Sequence, residues 1–259
     1  MISTKAHVSA KAILGINVTI GNFTTVEDDV VIGDGSVIGN NVSILNGTRI
    51  GAHCYIHSGA VLAGTPQDLK YNGEETYLHI GDRNKIHEFV TINKGTASKG
   101  ITKLGNDNLI MAGAHIGHDC EIGSNCVIGF SVGIAGEVVV EDHANVSGLT
   151  GVHQFSRIGQ YCMITGLSRV VQDVPPYIIA ARDPLSFAGV NTVGLSRKGF
   201  AKNALTEIKE IYNIIFKQNR NTTSALTLIE DKFPPTIYRD HILDFIRRSE
   251  RGILKGRRG

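Results

Sequence analysis

The sequence predicts a mainly β chain, a parallel β-helix wound from six-residue repeats and followed by an α-helical C-terminal part. Three observations predict it. An aliphatic residue recurs at every sixth position over most of residues 14–170. Thirty of the 259 residues are glycine, against a usual share of about 7%, and many directly follow those aliphatics. Near residue 190 the six-residue rhythm gives way to helical spacing and a change of charge.

The ladder begins with Leu14, Ile20, Val26, Ile32, Ile38, Ile44, Ile50, Ile56 and Leu62, and resumes at Ile80, Ile86 and Ile92. From Leu104 it runs unbroken through Ile110, Ile116, Ile122, Ile128, Ile134, Val140, Val146, Val152, Ile158 and Ile164 to Val170. A period of six is neither the 3.6 of a helix nor the 2 of an alternating strand. It fits short parallel strands joined by sharp corners, each coil resting on the one before, which is the hexapeptide β-helix signature. The following glycines (Gly15, Gly21, Gly33, Gly81, Gly117, Gly159 and others) are expected to supply positive φ at the corners. Two residues before each aliphatic stands a small or β-branched residue such as Val18, Thr24, Ala114 or Ala144. Cys54, Cys120, Cys126 and Cys162 share that position; with no C-x-x-C spacing they read as buried packing residues.

Residues 1–190 form the repeat domain, with polar, turn-rich loops ejected near 63–79 and 94–103. Loops on a rigid scaffold are where binding residues concentrate. The ladder should stop after Val170, ended by Asp173-Val174-Pro175-Pro176-Tyr177. Residues 191–259 form the helical C-terminal domain. Phe200, Ala204, Leu205, Ile208, Ile211, Tyr212, Ile215 and Phe216 follow helical spacing after a start near Ser196, a second helix begins near Thr222, and a third carries Ile237, His241, Ile242, Phe245 and Ile246. His241 is expected on its surface.

Composition excludes much. The chain is 42% hydrophobic, 19% charged and net +2, which suits a packed fold and not a disordered one. No apolar run approaches the roughly 18 residues of a membrane span, and the N-terminus lacks the apolar stretch of a signal peptide. A cytoplasmic protein is expected. Residues 191–259 hold 14 Lys/Arg and 7 Asp/Glu, residues 1–190 hold 12 and 17. A basic helical tail on an acidic body suggests an acidic partner, although single lysines read most simply as a solvated helix face. Nucleic acid is not the expected partner, because no stacking aromatics accompany the basic residues.

Among the histidines, His7, His53, His57, His79, His87 and His143 read as outward, solvated side chains. His115 and His118 differ. They flank Ile116 and Gly117 in Ala-His-Ile-Gly-His-Asp-Cys, and Asp119 follows directly. A histidine general base needs a near-neutral pKa, and a carboxylate can hold its tautomer. Zinc shared between neighbouring subunits is the competing reading, for which no third ligand stands at a convincing spacing. The chain has no Ser-His-Asp elbow, no Walker loop and no G-x-G-x-x-G after a strand.

Several stretches together are far more selective than the repeat: PQDLKY (66–71), IGDRNKIHEFVTINKGT (80–96), GNDNLIMAGAHIGHDC (105–120), GVHQFSRIG (151–159), QDVPPY (172–177) and GVNTVGLSRKGF (189–200). In these, and over nearly its whole length, the chain resembles the UDP-N-acetylglucosamine acyltransferase family of lipid A synthesis. The resemblance implies a homotrimer of left-handed parallel β-helices with active sites between subunits and no metal or cofactor. It implies transfer of an (R)-3-hydroxyacyl group from acyl carrier protein to the glucosamine 3-hydroxyl of UDP-N-acetylglucosamine. By position, His118 is then the general base, Asp119 orients it, and the Gly136 N–H is the oxyanion donor. Gln67, Asp68 and Lys70 match loop residues around the sugar; His115, His153 and Gln154 match the lining of the nucleotide-sugar cleft. Asn191, Arg197 and Lys198 match the nucleotide-binding group, and Gly166 a position that limits acyl length, where a small residue admits a longer chain. The basic tail becomes a dock for the carrier protein.

Two departures stand out. The family's A-G-H-V is here Ala135-Gly136-Glu137-Val138, and its I-H-[RK]-G-T is here Ile92-Asn93-Lys94-Gly95-Thr96. Glu137 raises the possibility of an acceptor bearing a 3-amino group, which would be N-acylated. The repeat itself is also compatible with a different hexapeptide acyltransferase, a zinc-dependent hydratase or a purely structural prism.

Overall fold

The computed structural model describes residues 1–217 and 221–256; residues 218–220 and 257–259 of the expected helical domain lie outside them. The repeat winds into a three-sided prism whose faces are sheets of nine, eight and ten strands, parallel except for the last strand of the ten, with three successive strands of the repeat falling on three different sheets. Neighbours within a sheet are normally 18 residues apart, as in His115↔Gly133↔Gly151↔Arg169. The step lengthens to 30 between Val61 and Thr91 and to 24 between Thr91 and His115. The extra residues form the loops between Gly64 and Tyr77 and between Asn93 and Ile101.

The aliphatic ladder fills the interior. Ile20, Ile38, Ile44, Ile92, Ile116, Ile134 and Ile164 are all at most 1% exposed. Each such side chain contributes about 1.5–3 kcal/mol through burial, and each depends on the coils above and below. The small-residue positions are buried too, the four cysteines included. Their thiols rest on backbone carbonyls, Cys120 on Ala135 and Cys126 on Glu141, and burial pushes both pKa values up to about 12.

The glycines after the ladder residues do not have the expected role. Positive φ falls two residues later, at Asn17, Asn41, His53, Asp119, Glu137 and His143, with φ between 55° and 61°. The glycines are needed for room. A Cβ on Gly15 would lie 2.7 Å from Asp34 N, and one on Gly33 2.5 Å from the Gly51 carbonyl carbon, so the next coil could not close on them.

The ladder also outlasts Val170. Val174 bridges to Ile158, and Ile178–Ala181 pairs with Met163–Ile164. The strand Ser186–Val190 then turns back antiparallel and covers the end of the ten-stranded sheet. Four helices follow: α1 (Thr192–Arg197), α2 (Lys202–Lys217), α3 (Thr222–Lys232) and α4 (Ile237–Arg247). Ser196 lies inside α1 rather than starting a helix, because Asn191 caps α1 by accepting from Gly194 N and Gly199, at φ 85°, ends the turn before α2. The apolar spacing of α2 is its buried face, through Ala204, Ile208, Ile211 and Tyr212.

His241 is not a free surface group. It bridges α4 to the prism, with Nδ1 2.8 Å from Tyr177 Oη and Nε2 2.9 Å from Glu141 Oε2. Arg157 packs beside it, its guanidinium 4.3 Å from the Phe245 ring centre and its Nη1 donating to the Phe245 carbonyl.

Candidate active site

His118 and Asp119 occupy a corner where the nine-stranded face turns into the eight-stranded one, between the strands His115–Ile116 and Glu121–Ile122. Positive φ at Asp119 turns its carboxylate back beneath the loop 94–103. There it is fully buried and well satisfied: Oδ1 accepts from Thr96 N at 2.9 Å and Lys99 N at 3.3 Å, and Oδ2 accepts from Thr96 Oγ1 at 2.7 Å. Oδ2 also lies 2.8 Å from His118 Nδ1. A carboxylate can only accept, so it holds the His118 proton on Nδ1 and leaves the Nε2 lone pair free.

Gly136 stands one coil on, against the His118 ring; a Cβ there would overlap His118 Nε2. Its N–H donates to no atom among the described residues. Where the eight-stranded face turns into the ten-stranded one, the same N–H is often capped by a side chain of the next coil, as in Ile16→Asp34 and Ser124→Asp142, both at 2.7 Å. Gln154 holds the capping place above Gly136 and makes no such bond. A free N–H beside a free imidazole nitrogen places a donor for developing negative charge next to a base.

These groups open into a groove of about 690 Å³ on the nine-stranded face. Gln67, His115, His118, Gly136, His153 and Gln154 line it together. The outward positions Gly133 and Gly151 form its floor, and a Cβ on either would meet nothing within 4 Å. The sequence reading missed those glycines as well as Arg169 and Val171, and named Asn93 only as a departure from the family pattern. The outward position of the nine-stranded face is the signal that could have found them. Asn93 donates through Nδ2 to Thr65 O at 3.0 Å while its Oδ1 is buried without a partner. His115 lies 2.7 Å from Thr91 Oγ1 through Nδ1, and burial, then the nearby charge of His118, lowers its pKa. His115 therefore stays neutral beside His118. A groove of similar size, about 680 Å³, runs along the eight-stranded face past Arg49, His79 and Lys103, but it has no base held by a buried carboxylate.

Residues 173–254 match the family model for domain 2 of UDP-N-acetylglucosamine O-acyltransferase, and residues 11–46, 29–64 and 101–136 match the bacterial transferase hexapeptide model. An acyl-[acyl-carrier-protein]–UDP-N-acetylglucosamine O-acyltransferase of Anaeromyxobacter dehalogenans is 42% identical over 193 residues, 74% of this chain and 75% of the relative. The crystal structure of LpxA, a UDP-N-acetylglucosamine acyltransferase from Bacteroides fragilis, is 45% identical and matches 98% of this chain and all of its own with a TM-score of 0.96. The Francisella novicida enzyme's structure, at 36% identity, also gives 0.96 over 98% and 94% of the two chains. The chain belongs to the UDP-N-acetylglucosamine O-acyltransferase family. It is an acyltransferase, and its prism is the left-handed β-helix of those structures.

Within this acyltransferase the remaining expected site residues are scattered. Asp68 accepts from Lys70 N at 3.0 Å in the exposed loop next to Gln67, and neither of the two lines the groove. Glu137 turns away from the groove, accepting from Ser98 Oγ at 3.1 Å, so the amine-acceptor reading gains no geometric support. Gly166 sits at the other edge of the nine-stranded face, where a Cβ would lie 3.1 Å from Gly148 O. Asn191, Arg197 and Lys198 lie at a different edge, where the eight-stranded face meets the ten-stranded one. Asn191 donates to Tyr161 O at 3.0 Å, and the Lys198 charge, after burial, lowers the pKa of His143, which stacks 4.5 Å from Tyr161. His143 therefore has an aromatic partner that its sequence position did not reveal.

Proposed function

We infer that this acyltransferase moves an (R)-3-hydroxyacyl group from acyl carrier protein to the glucosamine 3-hydroxyl of UDP-N-acetylglucosamine, the first step of lipid A synthesis, with His118 as general base. The observation that carries the assignment of the base is the buried, fully hydrogen-bonded Asp119 at 2.8 Å from His118 Nδ1. His118 Nε2 removes the proton of the 3-hydroxyl as its oxygen attacks the thioester carbonyl carbon. The oxyanion that forms accepts from Gly136 N–H. Collapse breaks the C–S bond, and the carrier's thiolate takes the proton back from His118. Positioned proton transfer contributes about 10²–10⁴-fold, and one oxyanion donor about 10²–10³-fold.

Asn191, Arg197 and Lys198 cannot reach this groove from their own edge, so we propose that they complete the site of a neighbouring copy in a homotrimer, where the two cations meet the nucleotide's phosphates. The basic tail of the chain, with 14 Lys/Arg, docks the acidic carrier protein. Both substrates fit a cytoplasmic enzyme; among the described residues no helix is long and apolar enough to cross a membrane.

The test is one reaction followed by mass spectrometry, with purified protein, (R)-3-hydroxyacyl carrier proteins of several lengths, and equal UDP-N-acetylglucosamine and 3-amino analogue. An ester on UDP-N-acetylglucosamine, lost in His118→Ala, is expected; a predominant amide would move the assignment to the amine acceptor. Mixing His118→Ala with Arg197→Ala after subunit exchange should recover part of the activity neither has alone. No recovery between exchanged subunits would overturn the shared site.

A further inference from the structure

Away from the groove, at the edge joining the ten- and nine-stranded faces, His57 and His87 occupy the same corner position on successive coils. Pairing of Tyr55 with Lys85 and of Ile56 with Ile86 fixes their register. Their rings stack with centres 4.4 Å apart and planes 5° from parallel. Glu88 faces both: Oε1 lies 3.3 Å from His57 Nδ1, and Oε2 lies 3.4 Å from His87 Nδ1. The three donor atoms lie within 4.8 Å of one another.

These distances differ from the other histidine–carboxylate contacts of the chain. His118 with Asp119, at 2.8 Å, and His241 with Glu141, at 2.9 Å, are short and aligned as hydrogen bonds. The two contacts to Glu88 are longer, at 3.3 and 3.4 Å. Ligands held about 2.1 Å from a tetrahedral ion stand about 3.4 Å from each other, which the two His–Glu88 spacings match, and a turn of one stacked ring about its Cβ–Cγ bond would aim both imidazoles at one ion. Two imidazoles and a carboxylate are also a donor set that suits Zn²⁺, with a fourth position left to water. The surroundings agree: Gly39, one coil before, carries no side chain at this corner position, while Met111 holds it one coil after, so no cation competes for Glu88 along the column. Side-chain exposures of 39%, 34% and 44% leave the site open to solvent in the single chain.

We propose that His57, His87 and Glu88 form a divalent transition-metal site, with Zn²⁺ the fitting ion, which staples two coils across the residues 63–79 insertion and takes no part in acyl transfer. An ion that binds only the folded chain raises its stability by mass action, so the site has a readout independent of activity.

The test uses tag-free, chelator-stripped whole protein titrated with ZnCl₂ by calorimetry and followed by thermal unfolding. One Zn²⁺ per chain is expected, with a saturable rise in Tm. His57→Ala and His87→Ala should each weaken binding at least about tenfold and abolish the Tm rise, Glu88→Gln should weaken it too, and His118→Ala should leave it unchanged. Metal-free Tm and carrier-protein-dependent activity of the three site variants should stay near wild type, which shows that they fold. Absence of binding at millimolar Zn²⁺ would overturn the proposal. So would unchanged binding in both histidine variants, or binding lost only in His118→Ala.

Discussion

Two edges of the prism use one repeat to opposite ends. Where the eight-stranded face turns into the ten-stranded one, Asp34, Asp82, Asn106, Ser124 and Asp142 each reach back one coil and accept a backbone N–H at 2.7–3.0 Å. The N–H groups facing them are capped. Where the nine-stranded face turns into the eight-stranded one, His118, Gly136 and Gln154 hold the same place on successive coils, and Gly136 N–H has no acceptor among the described residues. The corners share the same positive-φ turn, as Asp119 at 58° and Asn125 at 59° show. The backbone therefore does not mark the reactive corner. The side chains do, since only here among the described residues is an imidazole held by a buried carboxylate against an uncapped N–H.

The largest difference between the edges should appear in His118→Ala set against Asp142→Ala. The first should lower kcat by about 10²–10⁴-fold with little change in Tm. The second removes one cap and should cost about 1 kcal/mol of stability while leaving kcat near wild type. Steady-state kinetics and denaturant unfolding of both variants check this, and equal activity losses would erase the distinction.

Next comes Gly136→Ala. Its methyl must push the His118 ring aside, so kcat should fall by about 10²-fold or more. Gly151→Ala adds the same methyl to the open groove floor; it should fold as well as wild type and mainly raise KM. If Gly151→Ala proves the more damaging to kcat, the placement of Gly136 beside the base is wrong.

A smaller effect should separate the two edges of the nine-stranded face. Gly166→Met, remote from His118, should shorten the preferred acyl donor by several carbons with the reaction unchanged. An unchanged donor profile would remove Gly166 from the acyl path.

The smallest effect concerns pH. Burial lowers the His115 pKa, so the unfolded chain binds the proton more tightly than the folded one. Stability from this group is complete above the unfolded pKa of about 6.5 and declines as pH falls below it, until the folded form also protonates. His115→Gln should flatten that part of the stability profile, measured by denaturant unfolding between pH 5 and 7.5.

The sequence by itself determined the winding of the chain and its interior. A six-residue period is a local spacing, and the Ile and Val rungs found by counting are the buried ones. Helical spacing likewise found α2, α3 and α4, and the run from His115 to Asp119 was readable because adjacent residues form the pair. Only the tertiary structure decided what depends on register across coils. The 30-residue step from Val61 to Thr91 and the 24-residue step from Thr91 to His115 are set by loop lengths that interrupt the period. Those steps bring Thr96 and Lys99 onto Asp119 and stack His57 on His87, while the antiparallel return of Ser186–Val190 leads Asn191, Arg197 and Lys198 to another edge. The corner glycines were misassigned for the same reason. Their need is room for the next coil, a contact made 18 residues away, which no local preference for positive φ could reveal.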